Sequence, residues 1–467
     1  MNRTTPPPRP HPYIPNAVPE ARAGMLAALG IESTDDLYAA IPERLRLRRP
    51  LDLPPALTSE ADLVRHVERI AARNTSTRDV ISFLGAGCYE HHVPAVCDEV
   101  GGRSEFLTAY AGEPYEDHGR FQALFEYASM MGELLEMDVV NVPTYDGFQA
   151  AATALRMAAR ATGRRRLVLA GAVGADKRSK IQGYVAPDLD LVEVEIDPRS
   201  GQCDLARLAS TLGPDVAAVY LENPNYLGVV EAQAGQATRL AHEVGALAVM
   251  SVDPTTLGVL ASPSALGADI ACGDIQGLGM HQHFGGGQAG FIATADDPRL
   301  VMEFPSRLFG VAPTRVEGEY GFGDVAYERT SFAIREEGKE WVGTAAALWG
   351  ITAGVYLALL GPQGMAELGE AMLVRTRYAM AQLAAIPRVS IPFQASHHVH
   401  EFVVDFSATG RTVAEINRQL LSAGIFGGAD LSAEFPALGQ SALYAVTEVR
   451  TKQDIDDLAK ALTEVLA

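Results

Sequence analysis

Leu247-Ala248-Val249-Met250-Ser251-Val252-Asp253-Pro254 is a short apolar run closed by an acid and a proline. A similar run returns at Ile270-Ala271-Cys272-Gly273-Asp274-Ile275-Gln276-Gly277. Runs of this length, rich in branched residues and bounded by turn formers, read as buried strands. Working outward, comparable runs stand at 139–142, 167–170, 192–196, 217–221 and 290–293, with helical segments between several of them, among them 148–160. Short apolar strands alternating with helices imply βαβ units and a mostly parallel, doubly wound sheet covered on both faces. Ligands bind such sheets beyond the carboxyl ends of the strands. Asp253 and Gln276 stand at two of those ends.

The flanks have a different texture. Long helices at 344–360 and 365–386 lead into strands at 401–406 and 442–446 and helices at 413–423 and 452–466, a small α+β domain. The N-terminal segment opens with a proline-rich lead. Helices follow at 20–30, ended by Gly30, at 34–40 with Thr34 as N-cap, and at 59–74. The last is amphipathic, with Leu63, Val64, Val67 and Ile70 at helical spacing. The expected division is an arm region at 1–118, a large α/β domain at 119–340 and a small domain at 341–467.

A net charge of −20 argues against nucleic acid as a partner. The four cysteines form no C-x-x-C pair and fit a reduced compartment. No run approaching about 20 apolar residues is evident and the first residues lack a signal-type apolar core, so no membrane and a cytoplasmic location are expected. Only five of the 38 basic residues are lysines: Lys177, Lys180, Lys339, Lys452 and Lys460.

The strand-end loops hold the candidate chemistry. Asp146, in Thr144-Tyr145-Asp146-Gly147, is placed to cap the helix that follows; its carboxylate would then repel a phosphate there. Asn223 and Asn225 flank Pro224 and offer two amides to a crevice. An Asp at one strand end and a second strand end about two dozen residues on is the layout of pyridoxal-phosphate enzymes of the aspartate-aminotransferase fold. In those enzymes the Asp pairs with the pyridinium nitrogen and a lysine at the second position forms the Schiff base. Here that second position is Gln276, and no lysine lies between Lys180 and Lys339. Lys339, among glutamates, reads as part of a solvated helix. His281 and His283, and the trio His397, His398 and His400, are weak metal candidates. Arg307 and Arg335 are candidates for anion contact.

Taken together, the chain resembles the alpha subunit of glycine decarboxylases of the split, two-chain type, the P-protein of the glycine cleavage system. The resemblance rests on blocks in order: Phe83-Leu84-Gly85-Ala86-Gly87 with His91-His92-Val93-Pro94, Phe106-Leu107-Thr108-Ala109-Tyr110, Tyr145-Asp146-Gly147, Asn223-Pro224-Asn225-Tyr226-Leu227-Gly228, and Asp253-Pro254 through Leu260. Gly267-Ala268-Asp269-Ile270 with Gly273-Asp274 and Gln276 continues the series.

The resemblance implies fold type I of the pyridoxal-phosphate enzymes. It also implies that the cofactor is bound by a beta partner carrying the lysine, and that glycine is decarboxylated with transfer of the aminomethyl group to the lipoyl arm of H-protein. Candidate residues lining the shared site are Tyr110, Tyr145, Asp146, Asn223, Asn225, Asp253, Gln276, His283 and Arg335. Segments 111–119, 281–283 and 334–344 depart from the family pattern. They keep two alternatives open: the same assembly acting on another amino acid or amine, or a pseudoenzyme scaffold for the beta chain.

Overall fold

The computed structural model describes residues 13–14, 18–49, 51–107, 118–186, 188–283, 288–331, 334, 336, 338–339 and 345–467. They fall into two compact units, Met1–Asn74 and Thr75–Ala467.

The first unit carries α1 (Pro19–Leu29), two short 3-10 turns and α2 (Glu60–Ala71). Proline at the first turn starts α1, and Gly30 ends it in the left-handed region at φ 68°. The next turn is capped by Ser33 rather than Thr34: the Ser33 hydroxyl accepts from the Asp35 N–H, and the Asp36 carboxylate returns a bond to the cap. That stretch is 3-10, not α. No described residue of this unit is buried.

The second unit opens with β1 (Ile81–Ser82), α3 (Ala95–Gly101) and α4 (Ser104–Leu107), none of which the sequence reading anticipated. There follow α5 (His118–Leu135), β2 (Val139–Val140), α6 (Gly147–Thr162), β3 (Arg166–Ala170), α7 (Ala175–Val185) and β4 (Asp190–Val194). Next come α8 (Leu205–Thr211), β5 (Val216–Asn223), α9 (Ala234–Glu243), β6 (Leu247–Val252), β7 (Ile270–Asp274) and β8 (Gly290–Thr294). Seven of these strands form one sheet in the order β2-β8-β7-β6-β5-β3-β4. Strands β3 to β7 run parallel; β8 is antiparallel to both its neighbours.

Side chains alternate across each strand, and the alternation sorts the apolar residues into two cores. Val168, Val219, Met250, Ala271 and Phe291 enter one cluster, with α5 and α9. Leu167, Ala218, Val249, Ile270 and Ile292 enter the other, with α6 and α7. A parallel sheet buried on both faces needs apolar residues at both parities, which is why these strands read as unbroken apolar runs.

Beyond the sheet come α10 (Pro298–Val301), an unanticipated hairpin of β9 (Phe309–Pro313) and β10 (Tyr320–Asp324), and α11 (Ala345–Ala384). The two long helices expected near here are both present within this run, separated at Gly361, whose backbone is non-helical (φ 60°, ψ −174°), ahead of Pro362. Taken across that break, the run is long and apolar enough by length and composition to cross a membrane, a test that a core helix also passes, and half of its most apolar window is buried inside the protein. The solvated helix expected around Lys339 falls partly outside the described residues, of which Glu336 stands in a 3-10 turn.

The chain ends with β11 (Glu401–Asp405), α12 (Val413–Ser422), β12 (Ile425–Phe426), β13 (Ala429–Asp430), β14 (Ser441–Ala445) and α13 (Lys452–Leu466). Strands β11, β14 and β13 form an antiparallel sheet packed on α12, α13 and the end of α11. Strand β1 pairs in parallel with β12, so residues just after the first unit are built into this C-terminal layer.

Candidate functional site

The carboxyl ends of β5, β6 and β7 open into a cavity of about 260 Å³. Strand β5 delivers Glu222, β6 delivers Asp253, and β7 delivers Asp274 with Gln276 just beyond. The N-termini of α6 and α7 bring Gly147, Phe148 and Lys177. Other parts of the wall come from Tyr89 and His91 near the start of the unit and from His400 and Glu401 at β11.

Asp146 caps α6: its Oδ1 accepts from the Gln149 N–H at 2.7 Å. The Gly147 N–H donates to Asp274 Oδ2 at 2.9 Å, and the Gln276 N–H donates to Asp274 Oδ1 at 2.8 Å. The amide of Gln276 donates to the Met280 carbonyl at 2.8 Å. Lys177 Nζ donates to Glu222 Oε1 at 2.6 Å, and the Tyr220 hydroxyl donates to the same oxygen at 2.7 Å. Asp253 Oδ1 accepts from the Thr255 N–H and hydroxyl, while Oδ2 stands 3.5 Å from His400 Nε2. His91 Nδ1 lies 2.8 Å from Glu448 Oε2.

Burial sets the acid–base character of this wall. It pushes the Asp274 carboxyl up to about 7, against the Gln276 and Gly147 N–H bonds that favour the ionised form. It pushes Glu401 up to about 8, although the Ala86 N–H donates to it. Burial also opposes the charge on Lys177, but Glu222 outweighs it and holds the ammonium above the ordinary lysine value. Glu448 does the same for His91, against burial. At His400 burial outweighs the Asp253 carboxylate 3.5 Å away and lowers it.

Of the residues singled out in the sequence, Asn225, Asp253 and Gln276 line this cavity, and Asp146 holds the helix that reaches it. Asn225 uses its amide inside the loop, donating to the Gly201 carbonyl and Glu231 and accepting from the Leu227 and Val229 N–H groups. Asn223 Oδ1 accepts from the Glu231 N–H. Tyr145 is about half exposed. His283 is exposed at φ 43° with its ring beside Trp349. Neither Tyr145 nor His283 is in the cavity wall. Tyr110 and Arg335 lie outside the described residues.

Sequence reasoning missed Lys177 and Glu222. Both follow the rule that strand-end loops carry chemistry, and Lys177 is one of only five lysines, so a signal was present. Tyr89 and Glu401 had no such signal, since they arrive from opposite ends of the chain. The ring nitrogens of His398 lie 2.9 and 3.0 Å from the backbone carbonyls of Glu401 and Phe393. Among the described residues no group of three or more His, Cys, Asp or Glu could hold a metal ion.

Comparison with known proteins bears on this geometry. The family model for the glycine cleavage system P-protein matches residues 11–462. The chain belongs to that family. A relative described as probable glycine dehydrogenase (decarboxylating) subunit 1 from Moorella thermoacetica is 38% identical over 97% of this chain and 100% of its own length. The counterpart from Staphylothermus marinus is 35% identical over 98% of each chain. A crystal structure of glycine decarboxylase (P-protein) in inhibitor-bound form superposes with a TM-score of 0.83 at 33% identity, covering 97% of this chain and 100% of that one. A sphingosine-1-phosphate lyase from Burkholderia pseudomallei shares the fold alone, with a TM-score of 0.66 at 14% identity. The fold is therefore fold type I of the pyridoxal-phosphate enzymes.

The cavity of this P-protein chain does not fit that cofactor. A phosphate at the N-terminus of α6 needs free N–H groups, and here the Gly147 and Gln149 N–H groups donate to the carboxylates of Asp274 and Asp146. No amine stands at Gln276. Lys177, the lysine in the wall, is closed onto Glu222.

Proposed function

We propose that this chain is the lysine-less subunit of a two-chain glycine decarboxylase. In this reading a second, homologous subunit holds pyridoxal phosphate on its lysine and is needed for activity. The assembly decarboxylates glycine and passes the aminomethyl group to the lipoyl arm of H-protein. The observation that carries the proposal is the fate of the ordinary cofactor position: Gln276 is where the amine should be, and carboxylates occupy the helix end where the phosphate should be. Relatives named subunit 1 support it. Tyr110, Tyr145, His283 and Arg335 are the candidates in this chain for lining the shared site. The setting is cytoplasmic, with neither nucleic acid nor membrane as a partner.

Departures from the family pattern at 111–119, 281–283 and 334–344 favour a second reading, the same assembly acting on a different small amine or amino acid. A substrate panel with glycine as the best substrate would remove it.

The test uses the chain alone and together with its second subunit, each given pyridoxal phosphate, reduced with borohydride and mapped by peptide mass. The expected result is no labelled lysine on this chain and one on the partner. A labelled Lys177, Lys180 or Lys339 would overturn the proposal.

A further inference from the structure

The cavity that rejects a phosphate cofactor still holds polar atoms with nothing to bond. His91 Nε2 and both ring nitrogens of His400 have no hydrogen-bond partner among the described residues. The two side chains are 1% and 4% exposed, and both residues are in the cavity wall. A buried polar atom left unpaired carries its full desolvation penalty. Three of them around one cavity point to an occupant that supplies the missing partners. The volume, about 260 Å³, far exceeds the roughly 10–15 Å³ that one water needs.

The charges in the wall select the chemistry. Lys177 is balanced by Glu222, and His91 by Glu448. Asp253 spends Oδ1 on Thr255 and turns Oδ2 toward His400, and no lysine or arginine among the described residues pairs with it. Asp274 and Glu401 add no positive charge to the same wall, since burial favours their neutral forms. Another anion here would meet the Asp253 carboxylate at low dielectric, whereas a cation with N–H donors would meet a carboxylate oxygen and an imidazole lone pair.

We propose that this cavity binds a small molecule bearing a primary ammonium group, held between the Asp253 carboxylate and the His400 imidazole. His91 Nε2, oriented by the bond from Nδ1 to Glu448, meets the polar end of the same molecule. The inference concerns this chain's own cavity and stands whether or not the cofactor lysine lies on a partner.

Full-length chain is titrated by calorimetry and ligand-observed NMR with four probes: methylamine, glycine, acetate and pyridoxal phosphate. Saturable binding of either amine is expected, and acetate and pyridoxal phosphate are expected not to bind. Asp253→Asn should weaken amine binding at least tenfold. Asp253 also caps the turn at Thr255, so His400→Gln serves as a second variant, with several-fold weakening expected and folding of both checked by circular dichroism. A folded wild-type chain that binds neither amine overturns the proposal. So does amine binding unchanged in both variants, or acetate binding in preference to methylamine. These readouts are independent of borohydride labelling, so failure here and failure of the two-chain reading can be told apart.

Discussion

Helices α2 and α6 are built on the same local rules and end in opposite circumstances. Each begins with a side-chain cap, Ser59 to the Asp62 N–H in α2 and Asp146 to the Gln149 N–H in α6, and each carries an apolar stripe at helical spacing. Ten residues of α6 are buried between the sheet and α7; none of α2 is. Periodicity therefore specifies which face of a helix wants cover and is silent on what provides it. In α6 the cover comes from β5, β7 and β8, laid down far along the chain. The largest expected effect follows from that contrast. Leu155→Ala, at a fully buried position in α6, should cost about 2–5 kcal/mol in denaturant unfolding. A cost below about 1 kcal/mol would mean that α6 is not the packed element described.

The same contrast governs charge. The exposed carboxylate of Glu43 in the N-terminal unit is held below its ordinary value by Arg48, whereas burial raises Glu401 to about 8 and Glu231 and Asp274 to about 7. A carboxyl raised in the folded state keeps its proton while the unfolded chain has lost it. Its contribution is full below the unfolded value near 4.5 and is lost as pH rises to the folded value. Stability should therefore fall between about pH 4.5 and 8. Between about pH 7 and 8 Glu401 is the last of the three still releasing its proton. Glu401→Gln should make the slope there shallower by up to one proton, roughly 1.4 kcal/mol per pH unit. An identical slope in the variant would show that Glu401 is already ionised in the folded chain.

Much of this was legible beforehand, and the reason is physical. The central strands announce themselves because both parities of a doubly covered strand must be apolar, and their ends then locate Asp253 and Gln276. Asp146 as a cap followed from one residue and its neighbours. The hairpin Phe309–Pro313 with Tyr320–Asp324 was not legible, because its strands are half exposed and carry Gly310, Gly321 and Gly323, which dilute any alternation. His400 suggested metal in the sequence, yet in the fold it faces Asp253 from the other end of the chain, a pairing set by tertiary register rather than by spacing. Lys177 is within reach of the strand-end rule, but nothing in its spacing from Asp253 or Gln276 shows that the fold brings it into the same wall.

Caps come next in size. Asp146→Ala removes the acceptor for the Gln149 N–H in a helix end that Asp274 also holds, and should cost about 1 kcal/mol. Asp146→Asn should recover most of it, since the amide oxygen still accepts.

The smallest effect is expected at α2. Val67 is 55% exposed on the apolar stripe, so Val67→Ala removes little buried surface from the isolated chain and should shift its stability by no more than about 0.5 kcal/mol. Alanine is also the better helix former, which offsets part of any loss. A cost comparable to that of Leu155→Ala would break the comparison, because it would require the stripe of α2 to be covered within the isolated chain. A neutral result in the chain alone, with a measurable loss once the second subunit is added, would sharpen it by identifying what covers that face.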